Sequence, residues 1–385
     1  MNRAAMIVQI VREAYGRRDG FVPLHAPIFE GNESAYVLKT IESTFVSSVG
    51  EYVSQFERML EKITGAAHVI ATTNGTTALH MSLLLAGVER DDLVVTQSLS
   101  FVATANSIAH AGAMPAFVDV DASSLGMSPE ALEAFLEQEC DRTHRGCVHR
   151  ATGRRIAACV PMHSFGLPAR VEEIAEVCRT WAIPLIEDTA EALGSRVGTS
   201  HCGTFGMMGT LSFNGNKICT TGGGGAIMTN DADIAKRAKH LTTTAKVPHR
   251  WRFEHDAVGY NFRLPNLNAA LGCAQLEQLD NFIEFKRDLV RRYQQAFEGT
   301  GIQVMSERPG TFANYWLCAI LLSDRAERDA CLDETNEAGV MTRPVWEPLH
   351  TLPMFAAAPR GPLETTQSIA DRLVNIPSGV LRATV

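Results

Sequence analysis

The sequence lacks the features that mark a stapled, membrane-bound or nucleic-acid-coating protein. Its nine cysteines are an odd count, scattered, with no C-x-x-C pair, which argues against a disulfide framework and a thiolate zinc site. No apolar run approaches the roughly 18 residues that a membrane helix needs. The opening MNRAAMIVQIVREAYGRRDG has only a short apolar stretch and no small-residue cleavage site of a secretory signal. Positive charge is scarce too: 35 Lys plus Arg against 43 Asp plus Glu leave a net charge of −8. A general nucleic-acid coat or a basic membrane binder does not fit that balance. The expected setting is the cytoplasm, with no nucleic-acid or membrane partner.

Common catalytic strings are missing as well. Gly215-Asn216-Lys217 is the nearest approach to a P-loop, but its spacing is wrong and no hydroxyl follows the lysine. No G-x-G-x-x-G follows a strand and opens a helix, and neither G-x-S-x-G nor H-E-x-x-H occurs. No metal site is expected.

What remains is an ordinary globular composition, 45% hydrophobic and 20% charged over 385 residues, enough for more than one domain. Apolar spacing predicts helices over 32–43 and 52–64. Strands at 68–72, 93–97, 116–120, 156–161 and 183–188 then alternate with helices near 76–86, 102–111, 128–138 and 170–181. Such alternation predicts a mostly parallel α/β sheet sandwiched by helices. Strands at 211–214 and 226–230 lie close together and predict an antiparallel edge. A long helix over about 266–298 carries the domain boundary. A large α/β domain thus spans 1–275, with an N-terminal segment over 1–30, and a smaller C-terminal α+β domain spans 276–385. That second unit reads as a strand at 314–321, helices near 325–338 and 366–374, and a Pro-rich surface loop over 344–362.

Four strings could carry chemistry. TTNGTTALHMSLLLAG at 72–87 places Asn74, Gly75, Thr76 and Thr77 where a strand hands over to a helix, so free N–H groups could hold a phosphate. An N-capped helix with nothing bound explains the same residues. IPLIEDTAEALGS at 183–195 ends a strand in Glu187-Asp188, at the end of a parallel sheet where α/β sites lie. A protonated pyridine nitrogen suits such an acid; a helix cap is the plainer alternative. TLSFNGNKICTTGGGG at 210–225 sets Lys217 before a glycine loop, with Ser212 within reach of the same phosphate. A lysine near other cations loses its proton and condenses with an aldehyde, whereas an isolated loop lysine is simply solvated. GYNFRLPNLNAALG at 259–272 offers Asn261 and Arg263 to a neighbouring subunit, or merely sets a helix start.

Taken in order, NGTTALH, SFVATANSI, IEDTAEALGS, SFNGNK followed by TTGGGG, and GYNFRLPNLNAA resemble the pyridoxal-phosphate sugar-nucleotide aminotransferases of the DegT family, from about residue 21 onward. The resemblance implies an aspartate-aminotransferase-like fold, fold type I of pyridoxal-phosphate enzymes. It implies that Lys217 bonds the aldehyde of pyridoxal 5'-phosphate and that Asp188 pairs with the pyridinium nitrogen. Gly75, Thr76 and Ser212 would hold the phosphate, Phe101 would stack on the ring, and Asn261 would reach the phosphate of the partner subunit's cofactor. Glu191 stands where many relatives have Gln or His, beside the cofactor's phenolic oxygen, which changes the hydrogen bonding there.

FVPLHAPIFEGNE at 21–33, FVSSVGEYVSQFE at 45–57, KVPHRWRFEHDAVGYNFRLPN at 246–266 and RPVWEPLH at 343–350 are similar to one subgroup. Its members aminate the C4 keto group of UDP-2-acetamido-2,6-dideoxyhexos-4-ulose. His249, Arg250 and Trp346 become candidates for sugar or diphosphate contacts, or are structural surface residues. The implied reaction takes nitrogen from L-glutamate, passes through pyridoxamine phosphate, and yields 2-oxoglutarate and a UDP-linked 4-amino sugar for bacterial surface glycans. A homodimer with shared active sites is expected. The alternatives are another nucleotide-linked keto sugar, aminated at C3 or C4 and carried by GDP or dTDP, or a non-catalytic binding protein on the same scaffold.

Overall fold

The computed structural model describes residues 2–144 and 146–381. The N-terminal half runs α1 Arg3–Ala14, α2 Glu33–Glu42, α3 Glu51–Thr64, β1 His68–Thr72, α4 Gly75–Leu85, β2 Leu93–Gln97, α5 Val102–His110, β3 Met114–Val118, α6 Pro129–Glu139, β4 Cys140–Thr143, β5 Gly146–His149, β6 Ile156–Val160, α7 Val171–Thr180 and β7 Ile186–Asp188. There follow β8 Arg196–Val197, β9 Ser200–His201, β10 Met208–Ser212, β11 Gly225–Thr229, α8 Ala232–Thr242, α9 Asn266–Glu277 and α10 Leu279–Phe297. The chain ends with β12 Gln303–Val304, β13 Thr311–Phe312, β14 Cys318–Leu321, α11 Arg325–Glu337, β15 Arg343–Pro344, α12 Glu364–Ala370 and β16 Leu373–Ile376.

Seven strands line up as β3-β2-β6-β7-β10-β11-β1, the β6–β7 link being the bridges Cys159 to Leu185 and Met162 to Asp188. All neighbours are parallel except β11, which runs against both β10 and β1. The expected antiparallel element therefore sits one strand in from the edge, with β1 outside it. Residues along each strand alternate between faces, and the core divides accordingly. Ile70, Val94, Ile186 and Ile227 pack against α4, α5 and α8. On the opposite face Leu93 and Val95 meet α6 and α7, while Val69, Ala71 and Met228 meet α3, α9 and α10. Both faces are covered, which is why β2, β6 and β11 are buried along their whole length.

The long helix expected over 266–298 is two helices, α9 and α10, joined at Gln278. The C-terminal sheet is antiparallel, in the order β12-β14-β16-β15. Its β16 was expected to be the tail of a helix. Leu373, Val374 and Ile376 are all buried, and pairing with β14 settles the ambiguity that a short apolar run carries. The Pro-rich stretch is more than a surface loop: Leu349 and Phe355 are buried, and Phe355 meets Phe117 with ring centroids 6.3 Å apart. All nine cysteines are free thiols and buried. Among the described residues no helix is long and apolar enough to cross a membrane.

Candidate active site

A cavity of about 340 Å³ opens where the carboxyl ends of β7 and β10 meet the N-terminus of α4, roofed by Trp316 and Trp346 of the C-terminal part. Gly75, Thr76, Phe101, Asp188, Glu191, Ser212, Lys217 and Trp346 all line it. Eight of the side chains or backbones singled out from the sequence thus converge from five separate stretches of chain.

The strand pleat decides which acid faces the cavity. Glu187 and Asp188 are adjacent on β7 and point to opposite faces. Glu187 is fully buried and accepts N–H groups of Gly203 (2.6 Å), Phe205 (2.7 Å) and Gly206 (2.8 Å). It also faces His163 Nε2 at 3.1 Å, and His163 Nδ1 accepts the Ala169 N–H, so Nε2 carries the hydrogen. Glu187 is therefore structural. Asp188 turns inward. Its Oδ2 accepts from Thr104 Oγ1 at 2.8 Å and its Oδ1 from Ala190 N–H at 3.2 Å. Burial pushes its carboxyl up, and the Thr104 hydroxyl, the Ala190 N–H and the Lys217 ammonium work in the other direction without cancelling it.

Lys217 leaves β10 through a tight turn closed by its own N–H to Asn214 C=O at 3.0 Å. Its Nζ lies 3.1 Å from Glu191 Oε1 and 4.0 Å from the centre of the Trp316 ring. Trp316 is itself anchored, donating Nε1–H to Asn216 C=O at 2.6 Å. The lysine head thus sits between an aromatic face and a buried carboxylate. Burial pushes the Glu191 carboxyl up, opposed by Lys217 and the Phe165 N–H.

The third wall is an anion cradle. Asn74 caps α4 by accepting Thr77 N–H at 2.8 Å, leaving the N–H groups of Gly75 and Thr76 directed outward at the positive end of the helix dipole. A Cβ on Gly75 would stand 2.8 Å from Ser212 Cβ, and one on Gly225 would stand 2.4 Å from Asn74 C. Glycine at both positions lets α4 approach the ends of β10 and β11. The donor set fits pyridoxal phosphate: an anion site, a buried acid for a ring nitrogen, a lysine for an aldehyde, and Phe101 and Trp346 facing each other across the mouth at 6.3 Å.

Three expected residues lie elsewhere. His249 and Arg250 are exposed on an arm closed by the bridge between Lys246 and His255, where His249 Nδ1 accepts the N–H groups of Trp251 and Arg252. Asn261 is exposed, pairs with Thr243, and accepts from Arg263 Nε at 2.9 Å. None of the three lines this chain's own cavity. Sequence reasoning missed Thr104 and Trp316. The first was within reach, because Thr104 stands one helical turn after Phe101 and shares its face. The second is 99 residues beyond Lys217, and nothing local announces it.

The DegT/DnrJ/EryC1/StrS aminotransferase family model matches residues 27–383. GDP-perosamine synthases of Escherichia coli O157:H7 and Vibrio cholerae are each 34% identical, the former covering 93% of both chains, the latter 93% of this chain and 94% of its own. The crystal structure of a DegT DnrJ EryC1 StrS aminotransferase from Brucella abortus superposes with a TM-score of 0.83 at 28% identity, over 90% of each chain. The architecture is the aspartate-aminotransferase-like fold type I. The chain belongs to the DegT/DnrJ/EryC1/StrS aminotransferase family and is a pyridoxal-phosphate-dependent sugar aminotransferase.

Proposed function

We propose that the chain aminates the C4 keto group of a nucleotide-linked 6-deoxy sugar, UDP-2-acetamido-2,6-dideoxyhexos-4-ulose, with L-glutamate as donor. The meeting of Lys217, Asp188 and the N-terminus of α4 in one cavity supports the transamination, and the similarity of 21–33, 45–57, 246–266 and 343–350 to one subgroup supports the UDP-linked acceptor. Bound there, pyridoxal phosphate supplies an electron sink through which an amino group passes from donor to acceptor. Gly75, Thr76 and Ser212 hold its phosphate, and Asp188 keeps a proton on the ring nitrogen by facing it with a buried negative charge. Lys217 Nζ removes a proton from the donor's α-carbon and delivers one to the sugar carbon in the return half. Glu191 borders the phenolic oxygen. Phe101 flanks the ring, while Trp346 offers an aromatic face to the sugar and helps exclude water.

His249, Arg250 and Asn261 act in a partner's site. The arm around them exposes Trp251, Phe253 and Val258 by 70%, 80% and 86%, an apolar surface that a second copy of the chain would cover. A cytoplasmic homodimer making a precursor of bacterial surface glycan is the setting of this reading.

A second reading keeps the chemistry and changes the nucleotide: a GDP-linked 4-keto-6-deoxy sugar, favoured by the GDP-perosamine synthases at 34% identity. One experiment separates them. The absorbance of the bound cofactor is followed on adding L-glutamate, then on adding the UDP or the GDP keto sugar. Loss with glutamate and return with the UDP sugar supports the first reading; return only with the GDP sugar replaces it. No change with glutamate overturns the donor.

A further inference from the structure

Glu191 is held at both oxygens. Oε1 lies 3.1 Å from Lys217 Nζ, while Oε2 accepts the Phe165 N–H at 2.8 Å. Its side chain is 1% exposed. Phe165 presents that N–H from a φ of +58°, a left-handed conformation that is costly for an aromatic residue. Its ring is stacked between Trp316 and Trp346, with centroids 6.5 and 5.0 Å away, and this packing holds the strained backbone in place. One oxygen is thus fixed by the backbone, and the other is aimed at the lysine.

Two other titratable groups near the pair are held by hydrogen bonds. Asp188 is bonded to Thr104 and Ala190, and His163 behind it is tied to Glu187 and Ala169. His25, from the N-terminal segment, has a buried Nδ1 without a hydrogen-bond partner, but burial and the charges of Lys286 and Lys217 keep it well below its ordinary range, which makes it a poor proton acceptor.

We propose that Glu191 is the proton acceptor for Lys217, with Oε1 taking a proton from Nζ so that the freed amine attacks a carbonyl carbon. One N–H bond breaks and one O–H bond forms, turning the ion pair into a neutral acid and amine. When the carbonyl oxygen later departs as water, it takes that proton back from Oε1 and a second one from the attacking nitrogen, which keeps one hydrogen and the positive charge opposite the restored carboxylate. Atoms and charge balance with no further reactant. Burial lowers the cost of the exchange, because it pushes the Glu191 carboxyl toward holding a proton. Asp188 has its oxygens taken by Thr104 and Ala190, whereas Glu191 has Oε1 aimed at Lys217 Nζ. Two carboxyl groups thus take two roles, set by their surroundings.

The proposal rests on Lys217 being the residue that bonds the cofactor's aldehyde, and the test keeps the two apart. In Glu191→Gln the amide oxygen still accepts the Phe165 N–H, but no proton can be taken. Cofactor-free protein is first treated with trace acetic anhydride at neutral pH and Lys217 acetylation is read by mass spectrometry. Without its counter-charge the lysine acetylates about tenfold faster in the variant. The same protein is then mixed with pyridoxal phosphate, and the lysine adduct is trapped with borohydride at timed intervals. Here the variant is about tenfold slower, because no acid returns the proton to the departing oxygen. Opposite movements are the expected signature; both rates moving together, or neither moving, overturns the proposal. Should Glu191→Gln fold poorly, Glu191→Ala with added formate replaces it. Trapping restored by formate supports the proposal and trapping unaffected by formate overturns it. Wild-type protein that forms no adduct at Lys217 overturns the cofactor role of the lysine instead. The acetylation comparison, which needs no cofactor, then still decides whether Glu191 holds its charge.

Discussion

Thr104 Oγ1 donates a 2.8 Å hydrogen bond to Asp188 Oδ2, joining the first turn of α5 to the end of β7 inside the cavity. That bond opposes the upward push of burial on the carboxyl. Thr104→Val keeps the shape and removes the donor. A hydrogen bond to a charged group is worth about 1.5–3 kcal/mol, so the charged form of Asp188 loses about that much support. Pyridoxal phosphate binding is expected to weaken about tenfold or more, measured by absorbance titration of cofactor-free protein. An unchanged Kd would make the hydroxyl a bystander.

Gly75 is tested through the space it leaves. Its missing Cβ would meet Ser212 Cβ at 2.8 Å, closer than real Cβ contacts come. Gly75→Ala therefore moves the start of α4 away from β10 and spreads the anion cradle. Cofactor affinity is expected to fall about tenfold or more, since near-attack and anion sites tolerate little displacement. Ser212→Ala removes a hydroxyl without adding bulk and is expected to cost less. Equal losses in the two variants would mean that the close approach of α4 and β10 does not matter.

Much of this site was legible because it sits where local chemistry repeats a known logic: glycine at a strand-to-helix turn, an acid at a strand end, a lysine before a flexible loop. Between Glu187 and Asp188 the family resemblance pointed to Asp188, but the physical reason, the direction of the pleat that turns one acid to the cavity and the other away, is not written in the string. Trp316 was invisible because it arrives from the C-terminal sheet. The break at Gln278 carries no Pro or Gly to mark it, and β16 reads equally as the end of a helix until β14 is there to pair with it. Long-range pairing decides all of these, and one sequence does not contain it in local form.

His201 gives the fold a pH dependence of known sign. Its Nε2 accepts the Gly194 N–H at 2.7 Å, its Nδ1 donates to Cys202 C=O, and burial lowers its pKa to about 4. Between pH 4 and 6.5 the unfolded chain binds a proton there that the folded chain refuses. Stability is fully present above about pH 6.5 and is lost as pH falls toward 4, by about 3 kcal/mol from this residue. Melting temperatures measured across that window should fall more steeply for the wild type than for His201→Asn. Parallel curves would remove His201 as the cause.

Asn261 tests whether the site is shared between chains. It is exposed, lies outside the cavity formed by its own chain, and stands at the root of the arm that exposes Trp251, Phe253 and Val258. If it reaches a partner's cofactor phosphate, Lys217→Ala and Asn261→Ala damage opposite contributors to each site. Mixing them in equal amounts makes half of all dimers mixed, and each mixed dimer has one site in which both residues are intact. Recovery to about a quarter of wild-type activity follows from that two-fold arithmetic. A site completed within one chain gives no recovery, because each chain carries its own lesion. The measurement is turnover after subunit exchange verified by native mass spectrometry. Exchange without recovery would return Asn261 to its visible role, accepting from Arg263 at the start of the segment that leads into α9.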